Sequence, residues 1–214
     1  MQIVKQSWEF LNEPKGEQIL HLIEIAGRTC YKSEDKITPE SSRTFVKKLI
    51  DSGHYAMIEH GSITVKIITD RGVTHEIVRH RIASYAQEST RYCNYGNDKF
   101  GCQITYITPV DFILQQEDFV LLQTIQEHYM KKIAQGKSPQ QARYFLPNGL
   151  KTEIVMTANP REWRHFFTLR TSKAAHPQMR ALALDMLQGF KNVIPVLFDD
   201  ISLEVHKNEK QCIS

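Results

Sequence analysis

The sequence lacks the short signatures by which many nucleotide-binding and hydrolytic enzymes are recognised. Its 10 glycines form neither a G-x-G-x-x-G nor a G-x-x-x-x-G-K-[ST] loop, so side chains or helix N-termini would have to hold any bound phosphate. There is also no G-x-S-x-G elbow and no H-E-x-x-H motif. These absences exclude the common glycine-loop nucleotide sites, the α/β-hydrolase nucleophile and the zincin metal site.

The chain has few cysteines and no long apolar run. Its four cysteines, with no C-x-x-C pair among them, are expected to be free thiols in a reducing compartment; they are Cys30, Cys93, Cys102 and Cys212. Charged residues interrupt every apolar stretch, so no membrane span is predicted. The first residues lack the basic start and apolar run of a secretion signal. We therefore expect a cytoplasmic protein.

The chain has little net charge. Lys and Arg number 27 against 24 Asp and Glu, a formal charge of +3, which is too small for a dedicated nucleic-acid binder but suits a protein that holds small polyanions. The 214 residues, 41% hydrophobic and 24% charged, are typical of a globular chain. We expect a single domain over residues 1–214.

Hydrophobic periodicity indicates interleaved strands and helices. Strands are predicted up to Leu11 and over Ser62–Thr69, Gln103–Thr108 and Leu150–Met156; helices are predicted over Gly16–Cys30, from Thr38-Pro39 to Gly53, after Gly72 through Val78, and over Asp111–Ala134, Asn159–Arg170 and Pro177–Val193. Ser138-Pro139-Gln140-Gln141 is a capping box with proline at the first helical position. The fold class is α+β (mixed α/β), with a central, mostly antiparallel sheet flanked by helices.

The most informative segment runs from Arg79 to Tyr92. It opens with Arg79-His80-Arg81 and continues, after seven residues, with Ser89-Thr90-Arg91. Guanidinium groups pair bidentately with phosphate or an imide-like edge, so this pattern favours a ligand with those groups. The alternative from the residues alone is a solvated basic turn.

The spacing R-H-R, seven residues, S-x-R resembles the signature of the flavin-dependent thymidylate synthases. The resemblance extends to segments on both sides of it, over residues 16–193; these are His54–His60, Ala142-Arg143, Leu146-Pro147, Asn159-x-Arg161 and Leu169-Arg170. It implies an enzyme that converts dUMP to dTMP with methylene from 5,10-methylenetetrahydrofolate and hydride from NADPH, through bound FAD. It further implies a homotetramer with active sites between subunits. From charge, hydropathy and ligand spacing we expect no nucleic-acid or membrane partner and no metal.

The resemblance also assigns ligand contacts. The implied FAD contacts are Ala56, Arg79, His80, Arg81, Gln87, Asn159, Arg161 and His165. The implied dUMP contacts are Glu76, Val78, Arg79, Gln87, Glu88, Ser89, Thr90, Arg91, Arg143 and Arg170. The resemblance makes Arg170 the catalytic residue, a cation beside the uracil that stabilises the enolate, and it leaves Arg91 and Arg143 to hold the phosphate.

Some positions depart from the family pattern and keep other hypotheses open. Glu76 stands where many members carry Gln, Ala86 replaces a common Asn, Glu88 a common Leu, and His165 an Asn. A family member kept as a scaffold would bind FAD without turnover. A nucleic-acid-binding strip of arginines and tyrosines is the other alternative. A further open question is whether His54, His60, His75 and His80 gather around a metal, for which no known ligand spacing argues.

Overall fold

The computed structural model describes residues 1–203, which fold into two compact units. Unit 1 consists of Met1–Glu13, Ser62–Ala158 and His176–Leu182. Unit 2 consists of Pro14–Gly61, Asn159–Ala175 and residues 183–203. The single domain expected from the sequence stays a prediction. Cys30, Cys93 and Cys102 are free thiols, and Cys212 lies outside the described residues.

Unit 1 is built on an antiparallel sheet of four strands in the order β2-β3-β6-β4. The strands are β2 (Ser7–Phe10), β3 (Ile63–Asp70), β4 (Ala83–Gln87) and β6 (Lys151–Ala158). Strands β3 and β6 pair along their whole length, from Ile63 opposite Ala158 to Asp70 opposite Lys151. Alternate residues of both strands are buried, as period-2 patterning requires of a sheet with one covered face.

The N-terminal segment forms two strands where one was predicted. Strand β1 (Gln2–Val4) pairs in parallel with β5 (Thr105–Ile107), whereas β2 pairs with β3. The prediction of a continuous strand was wrong because the chain leaves one sheet and enters the other at Lys5-Gln6. Between the two strands, the side-chain amide of Gln6 donates to the backbone carbonyl of Gln178 at 3.1 Å.

Three of the four α-helices of unit 1 among the described residues begin at capping residues. The four are α3 (Arg71–Ile77), α4 (Gln116–Ala134), α5 (Pro139–Ala142) and the first part of α7 (Pro177–Val193). The predicted capping box at Ser138 is confirmed. Helix α4 begins later than the predicted Asp111, because Gln115 and Asp118 form a second capping box there.

Unit 2 is helical and has an aromatic core. It contains α1 (Gly16–Thr29), α2 (Ser41–Asp51), α6 (Pro160–Arg170), the rest of α7, and α8 (Pro195–Phe198). Helix α2 begins at Ser41 and not at Thr38-Pro39, because the Ser41 hydroxyl accepts the Thr38 N–H at 2.9 Å in a turn before the helix. The rings of Trp163, Phe167 and Phe190 pack with centroids 4.9–5.8 Å apart.

The predicted fold class, α+β with a mostly antiparallel sheet flanked by helices, is confirmed. Strand β4 was not predicted. Within residues 1–203, no helix combines the length and the apolarity that a bilayer crossing needs.

Asp70 caps α3 and so sets where the helix leading to the Arg79-His80-Arg81 segment begins. Its carboxylate accepts the Val73 N–H at 2.8 Å, and burial raises its pKa. We expect Asp70→Ala to lower the free energy of unfolding by about 1 kcal/mol, the usual value of an N-cap. Asp70→Asn should cost less, because the amide oxygen can still cap.

Urea unfolding of both variants, followed by circular dichroism, checks this expectation. A carboxyl with a raised folded pKa binds its proton more tightly in the folded state, so the contribution of Asp70 to the free energy of unfolding should increase on mild acidification. The Asn variant should lack that gain. Equal losses in the Ala and Asn variants would contradict the capping role.

Candidate active site

The Arg79-His80-Arg81 segment links the end of α3 to the start of β4. The Tyr85 hydroxyl, on β4, donates to the His80 carbonyl at 2.6 Å and to the Ile77 carbonyl at 3.0 Å. This tyrosine therefore fastens the link to the strand that follows it. His80 is only 4% exposed, whereas Arg79 and Arg81 on either side are exposed. Two cations are thus presented to solvent around a buried imidazole.

Gln87 ends β4 and belongs to the covered face of the sheet. It lies opposite Ile154, which is fully buried. Its amide donates to the Thr74 hydroxyl of α3 at 2.9 Å and to the Thr152 hydroxyl of β6 at 3.3 Å. The side-chain oxygen of Gln87 has no such protein donor among the described residues. The carboxamide is therefore oriented on one side and able to accept a hydrogen bond on the other.

Glu88 follows directly, and its side chain is engaged differently. Its N–H continues the ladder to the Glu153 carbonyl at 2.8 Å. Its carboxylate accepts from the Tyr95 hydroxyl at 2.8 Å and from the Lys151 ammonium at 3.3 Å. Burial together with the Glu88 charge raises the pKa of Tyr95, so this hydroxyl stays protonated. The charge of Glu88, which stands where the family commonly has Leu, is thus neutralised within unit 1.

A second carboxylate shares the same lysine. Glu153 contacts both Lys151 and Lys66, with Lys66 Nζ at 2.6 Å. Burial acts to raise the pKa of Glu153, but the hydrogen bonds from the two lysines outweigh it and the pKa is lowered. The exposed face of the sheet therefore carries a closed network of two carboxylates and two ammonium groups.

The turn after β4 carries the S-x-R part of the motif. The Ser89 hydroxyl accepts the Arg91 N–H at 3.3 Å, and the Ser89 carbonyl accepts the Cys93 N–H at 2.9 Å. Arg143 donates to the buried Thr90 hydroxyl at 3.1 Å, and Arg91 donates to the Gln140 amide oxygen at 2.9 Å. The turn and helix α5 thereby hold two guanidinium groups in place with neutral partners.

Unit 1 and unit 2 differ in how their arginines are neutralised. In unit 2 four guanidinium groups pair with carboxylates, namely those of Arg28, Arg43, Arg161 and Arg164. In unit 1 five have no carboxylate partner among the described residues, namely those of Arg71, Arg79, Arg81, Arg91 and Arg143. Cations left without counter-charges suit the binding of anions.

Two cavities border the motif within unit 1. One, of about 920 Å³, lies on the exposed face of the sheet and is lined in part by Gln87, Glu88 and Lys151. The other, of about 580 Å³, is lined in part by Glu76, Asp70 and His176 and has apolar walls. The predicted ligand residues Gln87 and Glu88 thus border one cavity and Glu76 the other. Val78 is exposed beside the motif.

The candidate residues of unit 2 occupy the start and end of α6 and a short turn. Asn159 caps α6 by accepting the Glu162 N–H at 2.9 Å, as its sequence pattern predicted. Arg161 pairs with Glu59, His165 is exposed, and Arg170 is the last residue of the helix. Ala56 precedes the 3-10 turn Met57–Glu59 and is exposed.

The structure brings five of the unit 1 candidates into one region. Ser89, Thr90, Arg91 and Arg143 meet at the turn after β4, and Gln87 directly precedes it. Sequence reasoning missed the residues that orient them, which are Thr74, Tyr95, Gln140, Lys151 and Thr152. Only strand pairing and helix packing connect these side chains, so no short motif could have identified them.

Comparison with known proteins gives consistent matches. A family model described as thymidylate synthase complementing protein matches residues 15–196. A flavin-dependent thymidylate synthase of Geobacter sulfurreducens is 34% identical over 185 residues, covering 83% of this chain and 80% of that protein. One of Mycobacterium avium is 32% identical over 203 residues, covering 85% of this chain and 79% of that protein.

A solved structure shares the fold. The UMP/dUMP methylase PolB from Streptomyces cacaoi, bound with 5-Br dUMP, superposes with a TM-score of 0.73 at 21% identity. The likeness covers 93% of this chain and 96% of that one. At this identity the comparison supports the architecture described above.

The lysine network on the exposed face predicts an acid-dependent stability. The lowered pKa of Glu153 means that its contribution is present above the unfolded pKa and is lost as the pH falls through the folded pKa. We expect Glu153→Gln to lower the free energy of unfolding by about 0.5–1 kcal/mol near neutral pH, a partly exposed pair being screened by water. The difference from the native protein should shrink on acidification.

Urea unfolding at neutral and acidic pH checks the Glu153 effect. Asp51→Asn, which removes an exposed ion pair to Lys47, is the matched control and should change stability less. A Glu153→Gln difference that is independent of pH would show that the carboxylate charge is not what the lysines stabilise.

Proposed function

Because this chain is an enzyme of the thymidylate synthase complementing protein family, the flavin-dependent thymidylate synthases, we propose that it converts dUMP to dTMP. The observation that carries the proposal is the set of guanidinium groups left without carboxylates around the R-H-R and S-x-R segments. An enzyme whose ligands are a nucleotide and a dinucleotide cofactor needs such cations.

The donors near the R-H-R segment fit FAD as the cofactor. Arg79 and Arg81 are exposed and have no carboxylate partner among residues 1–203, so both can pair with a pyrophosphate. Buried His80 lies between them. In unit 2, the Asn159 amide nitrogen is left for a ligand while its oxygen caps α6. Gln87, Ala56, Arg161 and His165 complete the proposed flavin contacts. FAD, when bound, supplies the transfer of a hydride that originates from NADPH.

The turn after β4 fits the phosphate of dUMP. Arg91 and Arg143 donate only to neutral oxygens, those of Gln140 and Thr90, and an anion can compete for them without breaking an ion pair. Glu88, with its carboxylate held by Tyr95 and Lys151, is proposed to contact the nucleotide through its backbone. Ser89 contributes hydrogen bonds beside it. Glu76, Val78, Arg79 and Gln87 complete the proposed contacts.

Arg170 is proposed as the residue that activates the uracil. A guanidinium beside the imide stabilises the enolate that makes C5 nucleophilic, and a preorganised charge of this kind can accelerate a reaction by orders of magnitude. Gln87, whose free carboxamide oxygen can accept from the ring N–H, would orient the base.

The remaining parts of the proposal concern co-substrates, assembly and location. We propose 5,10-methylenetetrahydrofolate as the carbon donor and NADPH as the reductant. We further propose a homotetramer whose subunits share active sites. The free thiols Cys30, Cys93 and Cys102 support a reducing compartment, which we propose is the cytoplasm.

A titration tests the ligand assignments directly. The purified protein should show a flavin absorbance spectrum that shifts as dUMP is added, because both ligands are proposed to contact Arg79 and Gln87. Formation of dTMP from dUMP, methylenetetrahydrofolate and NADPH then tests turnover. A protein that takes up no FAD would overturn the proposal, and one that binds both ligands without turnover would be a scaffold.

Arg170→Ala tests the uracil role. We expect the variant to keep its flavin spectrum and to lose turnover by about a hundredfold or more, the usual cost of removing one group that stabilises developing charge. Arg43→Ala, which removes an exposed arginine of unit 2, is the control and should keep its activity. Undiminished dTMP formation in the Arg170 variant would exclude the role.

A further inference from the structure

Arg71 is the first residue of α3 and has no place in the ligand contacts described so far. Its N–H donates to the Asn148 carbonyl at 3.0 Å and to the Leu150 carbonyl at 3.1 Å. Its carbonyl accepts from the Thr74 hydroxyl at 2.9 Å. The backbone of Arg71 is therefore fixed between the end of β3 and the start of β6.

One nitrogen of the Arg71 guanidinium group has no hydrogen-bond partner among residues 1–203. This atom, Nη1, is shielded from solvent. No carboxylate pairs with this side chain in the same part of the chain. Removing a cationic donor from water without a partner is costly, so natural structures retain such groups where a ligand completes them.

The position of Arg71 on α3 is next to that of Thr74, the helix residue that contacts Gln87. Gly72, Val73 and Glu76 line the 580 Å³ cavity, and Arg71 does not. Residues three apart on a helix are neighbours, so Arg71 is adjacent to Thr74, which accepts the Gln87 amide. The helix position that carries the unpartnered nitrogen is therefore on the Gln87 side of α3.

Strand register brings Arg71 and the turn after β4 to the same edge of the sheet. Asp70, which precedes Arg71, pairs with Lys151 of β6. Glu88 is bonded to Glu153 on the other side of β6, so the antiparallel register leads Thr90 toward Lys151. The chain segments that carry Asp70 and Glu88 thus flank β6 about 10 Å apart, a separation that long arginine side chains on both sides can bridge.

We propose that Arg71 is a third arginine of the nucleotide-phosphate site, with Arg91 and Arg143. The inference rests on the proposed function, since it assigns a residue to the phosphate of dUMP. A phosphate that accepts from Nη1 removes the penalty of the buried, unpaired donor. Arg71 acts on binding and contacts none of the reacting atoms of the uracil.

Isothermal titration calorimetry with dUMP and with deoxyuridine, which lacks the phosphate, separates this role from others. We expect Arg71→Met to weaken dUMP binding by about tenfold or more, the value of a charge-assisted hydrogen bond, and to leave deoxyuridine binding unchanged. Arg71→Lys should recover part of the loss. Arg43→Met is the matched control for removing an arginine and should bind both ligands normally.

The temperature of thermal unfolding without ligand distinguishes a binding role of Arg71 from a structural one. Because Nη1 has no partner to lose, Arg71→Met should unfold at the native temperature or above it, whereas a structural arginine would lower it. The rise in unfolding temperature on adding dUMP should be smaller in the variant than in the native protein.

The outcomes separate the inference from the function on which it rests. A native protein that binds no dUMP overturns the proposed function itself. Native binding of dUMP with undiminished binding by Arg71→Met, or an equal loss of dUMP and deoxyuridine, overturns the role of Arg71 alone. A selective loss of dUMP affinity with intact stability supports it.

Discussion

The pairing of β3 with β6 is the constraint on which the rest of unit 1 depends. Eight residue pairs in register, with alternate side chains buried, leave a covered face and an exposed face. Strand β4 joins the other edge of β6 and inherits the same alternation. The side chains of the neighbouring motif residues Gln87 and Glu88 therefore lie on opposite faces of the sheet. Gln87 is hydrogen-bonded to α3, and Glu88 is bonded to Tyr95 and Lys151. A slip of one residue in this register would exchange their surroundings.

The carboxylates of the two units differ in the cations that they pair with. In unit 2, guanidinium groups pair with carboxylates such as Glu24 and Asp200. Around the motif the carboxylates Glu88 and Glu153 are instead matched with lysines. The arginines are consequently spared, and their planar forks stay available for bidentate contacts with anions. The departure from the family pattern at Glu88 is thus accommodated locally.

The family, the fold class and most helices could be predicted from the sequence, because caps and periodicity are local. Asn159 and Ser138 are clear N-cap signals, and both predictions are confirmed. Strand β4 was missed because its covered positions are Ala83, Tyr85 and Gln87, which show no apolar alternation. The partners of Gln87 and Glu88 come from residues far along the chain, and pairing of that kind leaves no local trace.

The parallel pairing of β1 with β5 has a consequence for how the chain folds. The residues that it joins, such as Gln2 and Thr105, are 103 positions apart, a larger separation than in any pairing of the main sheet, so closing that loop costs the most chain entropy. With only three pairs to repay the cost, this ladder should form after the β3–β6 core and open first in native hydrogen exchange. Extensions fused before Met1 would act on the last-formed and weakest part of unit 1.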